Sequence, residues 1–225
     1  MTVSLNSKPK NSAADEARIK QRREQIIAAA VQMFSEQGYY RTKVQDVAAR
    51  AGISAGLIYQ YVRDKEDMLL LAILDVLDSY AVEIPLAVKG IEDPLQRCCA
   101  AFRAYCRVVD KRLDATILAY RSTKSLPPER RQVIKDAERL TNQIIIGYIE
   151  ACIAKGLFRP VDAEIAAYQL VMHAHGWALK QWQLAKRFDL ERYVEQGLDL
   201  FLHAMLTPQG WEHLEKGGQA TTSFK

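Results

Sequence analysis

Apolar residues recur at three- and four-residue intervals along nearly the whole chain, and the two-residue alternation of half-buried strands is almost absent. That period predicts an all-α fold, since only helices gather such residues onto common faces. Of the 225 residues 49% are apolar, enough for a sizeable core. The first helix is expected over about residues 14–37, with the stripe Ile26, Ile27, Ala30, Val31, Phe34 and a stop at Gly38. Thr42 is the expected N-cap of a short second helix, and Ser54 that of a third, with Gly52 between them. A fourth helix starts near Asp64 and runs to Pro85. Asp93-Pro94 reads as an N-cap followed by a first-turn proline. Further helices are expected over 113–122, from Ser125 or the prolines at 127 and 128 to Gly156, over 162–187 and over 189–206. The expected domains are a disordered arm 1–13, a head 14–63, a helical body 64–207 and a flexible tail 208–225.

The charge is uneven. Residues 1–65 hold eleven Lys and Arg against six acids, whereas the remaining 160 residues hold 20 against 21. A basic surplus confined to the first third points to an anionic partner there, nucleic acid or membrane surface. No apolar run reaches the roughly 18 residues that span a membrane. The first residues show no signal-peptide core, so a cytoplasmic protein is expected. Cys98, Cys99, Cys106 and Cys152 form no CxxC pair and no Cys/His metal spacing, which predicts reduced thiols and no metal site.

Within the basic third, GISAGLIYQYVRDKED (residues 52–67) carries glycines and tyrosines that are poor material for a buried helix. Two short helices joined by a glycine turn make a helix-turn-helix. At ~100° per residue, Ile58 and Val62 point inward with Ile53, leaving Gly56 and Gln60 outward and Leu57 and Tyr59 on the flanks. An outward glycine lets another molecule approach the backbone. Ser54, Tyr59, Tyr61 and Lys65 supply donors for a sugar-phosphate backbone.

The run RREQIIAAAVQMFSEQGYYRTKVQDVAARAGISAGLIYQYVRDKEDMLLLAI (residues 22–73) resembles the DNA-binding head of the TetR family of transcriptional regulators. Val44 and Val47 stand where that family commonly has isoleucine, and Val62 where it has phenylalanine; all three stay apolar. The resemblance implies phosphate contacts from Thr42, Ser54, Tyr59, Tyr61 and Lys65. Gly56, Leu57 and Gln60 then face base edges, with Ala55 close by. Only Gln60 has a base-reading amide. Arg41, Lys43 and the arm around Arg22 and Arg23 add phosphate contacts that carry affinity but little sequence information.

The resemblance extends to the body by architecture, implying a small-molecule effector and a homodimer through the last two long helices, bound to a pseudo-palindromic double-stranded operator. The helix expected over 162–187 supports this, because it is largely apolar on two faces: His173, Trp177, Lys180 and Leu184 share one, and His175, Ala178, Leu179 and Trp182 fall on nearly the opposite one. LAYRSTKSLPPERRQVI and HAHGWALKQW resemble a subgroup that answers to acyl-CoA thioesters of fatty-acid or aromatic-acid degradation. An acyl slot is then expected from Tyr105, Tyr120, Met172, His173 and Trp177. Arg121, Lys124, Arg130 and Arg131 would meet the CoA phosphates.

Two other readings compete. A repressor of an efflux transporter, sensing hydrophobic cations, would use acids such as Glu83, Asp110 and Asp114. A helical CoA-binding module without DNA function would leave the basic third unexplained. No GxSxG, HExxH or phosphate-cradling glycine loop supports an enzyme, and no bound cofactor is expected.

Overall fold

The helices begin and end where local chemistry supplies caps. The computed structural model describes residues 13–218; the expected arm over 1–13 lies almost wholly outside that range. Helix α1 is Ala13–Gln37, with Ile26, Ala30, Met33 and Phe34 buried. Helix α2 is Val44–Arg50, started by Lys43, whose N–H donates to the Asp46 carboxylate at 3.3 Å. Thr42 is therefore not the N-cap expected for it. Its side chain is 1% exposed and its hydroxyl faces the carbonyls of Met33 (3.2 Å) and Gly38 (3.0 Å), so it ties the loop to α1.

Gly52 makes the turn at φ +67°, a conformation costly for a residue with a Cβ. Helix α3, Ala55–Ile58, follows; its cap Ser54 accepts from the Leu57 N–H at 3.2 Å. Helical turns continue to Val62, whose N–H donates to the Ile58 carbonyl. Ile58 and Val62 are buried, as the wheel predicts.

Helix α4 is Lys65–Ala87, with the Asp64 carboxylate accepting from Asp67 N–H at 2.7 Å. It runs past Pro85, because a proline near a C-terminus removes one bond without ending the last turn. The chain divides into two compact units between Ala72 and Ile73, nine residues beyond the last position of the expected head. The first turns of α4 belong to the first unit, where Met68 and Leu69 are fully buried.

The second unit holds α5 (Pro94–Lys111), α6 (Leu113–Ser122), a 3-10 turn (Thr123–Ser125), α7 (Pro128–Ala154), α8 (Ala163–Leu184), α9 (Leu190–Met205) and α10 (Pro208–Gly218). Asp93 caps α5 with Pro94 in its first turn, as expected. Helix α5 lies at the centre, packed on α6, α7, α8 and α9. Its residues Leu95, Phe102, Tyr105 and Val108 are each at most 2% exposed. The free tail expected after Pro208 is corrected through residue 218, where α10 forms instead. The Gly210 N–H donates to Thr207 Oγ1, Trp211 packs edge-on to His203, and His213 pairs with Asp93. Residues 219–225 lie outside the described range. Among the described residues there is no strand beyond an isolated bridge between Phe158 and Leu206, and no helix long and apolar enough to cross a membrane. The four cysteines are buried free thiols.

Candidate DNA interface and effector site

In the first unit the turn and α3 present a compact exposed row. Ser54, Ala55, Gly56 and Gln60 are exposed, Tyr59 is 51% exposed, and Leu57 and Tyr61 are half-buried. Gly56 does not have a positive φ, and a Cβ built on it meets nothing within 4 Å. Neither its own backbone nor its neighbours require glycine there. Any requirement comes from outside the chain.

Arg41, Lys43 and Arg63 are exposed around this row. Arg50, by contrast, is spent on α1, pairing with Glu36 at 2.7 Å and Gln32 at 3.2 Å. Two expected phosphate anchors also have other employment. Thr42 is buried, as described above. Lys65 directs its ammonium at the carbonyls of Tyr39 (3.0 Å), Tyr40 (3.2 Å) and Thr42 (3.2 Å), and lies 4.6 Å from the Tyr39 ring centroid. Three N–H donors meet three carbonyls, so the side chain is satisfied internally. Lys65 positions the 39–42 loop, and that loop presents Arg41 and Tyr40. Tyr40 is 79% exposed and is absent from the expected contacts, though its signal stood in the doubled tyrosine of GYYR.

In the second unit the expected effector residues separate into two groups. Tyr105, Tyr120 and Met172 converge, and the residue that joins them is His175. Its Nδ1 faces the Tyr120 hydroxyl at 2.8 Å; its Nε2 faces Tyr105 at 3.2 Å and Tyr80 at 3.5 Å. Tyr80 and Tyr105 stack at 4.1 Å between centroids, and the Tyr120 hydroxyl reaches the Met172 sulfur at 3.7 Å. Tyr120 and Met172 are 46% and 49% exposed, so this cluster runs from the surface into the core. Burial pushes the His175 pKa down to about 4, keeping the ring neutral at pH 7. Burial also raises the carboxyl of Glu138, which lies close enough to hinder ionisation of Tyr105 and Tyr120.

His173 and Trp177 do not join this cluster. His173 stacks on Tyr193 of α9 at 4.4 Å and tilts against Phe102, while Trp177 donates to Asp110 at 2.7 Å. One residue along a helix is about 100° of rotation, so Met172 and His173 face different neighbours, whereas Met172 and His175 share a face. That i,i+3 spacing was the signal available for His175. Arg121 and Lys124 are exposed just beyond Tyr120. Of the acids a cationic ligand would need, Asp110 is held by Trp177 and Glu83 by Lys111 at 2.8 Å. A groove of about 560 Å³ between α7 and α8, and one of about 350 Å³ between α5 and α7, lie away from the cluster.

Comparison with known proteins adds two matching families and several relatives. Residues 26–72 match the family described as bacterial regulatory proteins, tetR family. Residues 92–182 match the tetracyclin repressor-like, C-terminal domain. The HTH-type transcriptional regulator HbdR of Aromatoleum sp. (strain CIB) is 49% identical over 210 residues, covering 93% of this chain and 92% of that protein. Two solved structures share the fold. AibR in complex with isovaleryl coenzyme A and operator DNA has a TM-score of 0.66 at 21% identity, covering 78% of this chain and 95% of that one. The fatty acid degradation regulator FadR of Bacillus halodurans has a TM-score of 0.70 at 22% identity, covering 80% and 94%.

Proposed function

Because this chain belongs to the TetR family of transcriptional regulators, we propose that it is a dimeric repressor released from a pseudo-palindromic operator by an acyl-CoA thioester of fatty-acid or aromatic-acid degradation. DNA-binding regulation rather than catalysis follows from the family itself. The observation that carries the rest is a body whose interior cluster around His175 reaches the surface at Tyr120 and Met172, next to exposed Arg121 and Lys124. That arrangement suits a ligand with an acyl end to bury and phosphates to leave outside. The likeness in fold to AibR, solved with isovaleryl coenzyme A, supports the same reading.

On DNA, Gly56 would let the backbone approach base edges, with Ala55 and Leu57 beside it and Gln60 able to pair with adenine. Arg41, Lys43, Ser54, Tyr59 and Tyr61 would hold phosphates, joined by Tyr40; Thr42 and Lys65 would act by positioning the loop. The dimer would form through α8 and α9. Helix α8 exposes Ile165, Tyr168 and Trp182, three large apolar side chains that a second copy would cover; α9 adds Leu200.

Coupling needs a ligand that favours one conformation over the other by a few kcal/mol. Tyr80 belongs to α4, the helix whose first residue, Lys65, holds the loop carrying Arg41. Displacing Tyr80 from His175 therefore bears on the helix that anchors the DNA-contacting loop. Footprinting upstream of neighbouring genes tests the reading. A protected pseudo-palindrome that hexanoyl-CoA or benzoyl-CoA clears is the expected result. Protection that no CoA thioester relieves would remove the effector from the account and leave the DNA part standing.

A further inference from the structure

The interior of the cluster is more polar than an alkyl slot. Tyr80, Tyr105 and Tyr120 surround the His175 ring, and Glu138 lies within electrostatic reach of two of these phenols. Asn142 stands one helical turn beyond Glu138 on α7, so the two face the same side. It is 3% exposed, and neither its amide oxygen nor its amide nitrogen has a hydrogen-bond partner. Thr116 of α6 is likewise 3% exposed; its hydroxyl lies close to Tyr80 without forming a hydrogen bond of normal geometry. Buried polar side chains are paired as a rule, and an exception asks for an explanation; a partner supplied from outside the chain is the one that suits a ligand-receiving body.

Resting on the effector reading above, we infer that the end of the effector entering the body carries a neutral hydrogen-bonding group, a hydroxyl on an otherwise apolar acyl skeleton, and that Asn142 and Thr116 receive it. A hydroxyl both donates and accepts, so it serves an amide oxygen, an amide nitrogen and a threonine hydroxyl alike. A saturated alkyl or unsubstituted aryl tip would expel any water from these groups and leave them unpaired. A carboxylate at that end would meet Glu138 and a neutral imidazole, with no cation among the named groups. An ammonium would satisfy Glu138 and still leave the Asn142 N–H groups unmet.

The test is a set of matched pairs titrated calorimetrically into the full-length protein: hexanoyl-CoA against 6-hydroxyhexanoyl-CoA, and benzoyl-CoA against the three monohydroxybenzoyl-CoA isomers. In at least one series the hydroxylated member binds roughly 10- to 100-fold tighter, the cost of leaving one buried polar group unpaired. In Asn142→Leu, which replaces the amide at similar volume, the preference falls to within about threefold, and the melting temperature does not drop. Thr116→Val is the second variant, smaller in its disturbance, and lowers the same preference. Equal affinity within both series, or a preference that survives both variants, overturns the inference while the thioester reading stands. If no thioester binds, that reading fails, and toluene against the cresols, scored by melting temperature, decides the polar end by itself. Equal shifts there overturn it.

Discussion

Replacing Gly56 with alanine separates what the fold needs from what the operator needs. The residue lies in α3 without a positive φ, and a Cβ placed on it meets nothing within 4 Å. The methyl group therefore introduces no clash and no strain. It also reduces the freedom of the unfolded chain, which stabilises a protein by about 0.4–1 kcal/mol at a compatible site. Because α3 is short and Gly56 sits in its first turn, the lower part of that range applies, about 0.5 kcal/mol. For a chain of this size that corresponds to a rise of about 1–2 °C in melting temperature. Operator binding should move the other way. A methyl group on the surface that approaches base edges forces a withdrawal and loses contacts worth about 1–3 kcal/mol, as one mismatched base pair does. Anisotropy of a labelled operator should then show affinity about 10- to 100-fold weaker for a more stable protein. A fall in stability would mean that the site is not open. Unchanged affinity beside raised stability would mean that DNA does not approach this face.

Lys65→Met keeps the apolar stem but removes three N–H donors to loop carbonyls. It should destabilise the first unit by about 2–3 kcal/mol in urea unfolding, and leave the salt slope of operator binding unchanged; a slope shallower by about one with stability intact would restore Lys65 as a phosphate anchor. His175 has a folded-state pKa below its unfolded value, so the unfolded chain binds more protons between about pH 4 and 6.5. Its contribution to stability is full above that window and lost as pH falls through it, by up to about 1.4 kcal/mol per pH unit. Glu138, raised by burial, acts in the opposite sense at the carboxylate end of the range. Urea unfolding from pH 7 to 5 should show a steeper loss for the parent than for His175→Gln, and parallel curves would refute the buried neutral imidazole. Ending the chain at Thr207 removes α10, with its Trp211 and His213 contacts, and should lower the melting temperature by several degrees; an unchanged value would return the segment to the status of a free tail.

Most of the helical framework was legible because its signals are local. Asp93-Pro94, Ser54 and Asp189 cap as their residue types predict, and Ile58 and Val62 turn inward at the spacing read from the sequence. What was not legible concerns partners far away in the chain. Nothing near Lys65 announces that carbonyls 23–26 residues earlier will claim its ammonium, or near Thr42 that Met33 will claim its hydroxyl. The segment after Pro208 looked too polar to pack, yet its few large side chains found His203 and Asp93. In the body, helix α8 is covered on several faces, so a wheel alone could not say which of His173 and His175 meets the tyrosines. That choice depends on the rotation of α8 against α5 and α6, a tertiary fact.

The central claim is that effector and operator compete through one conformational equilibrium, and linkage allows it to be measured from both ends. Operator affinity is determined by anisotropy with and without a saturating CoA thioester, and thioester affinity by calorimetry with and without saturating operator. The account predicts that each ligand weakens the other by the same factor, tenfold or more, because a coupling free energy is reciprocal. A thioester that binds tightly while operator affinity stays the same would contradict it.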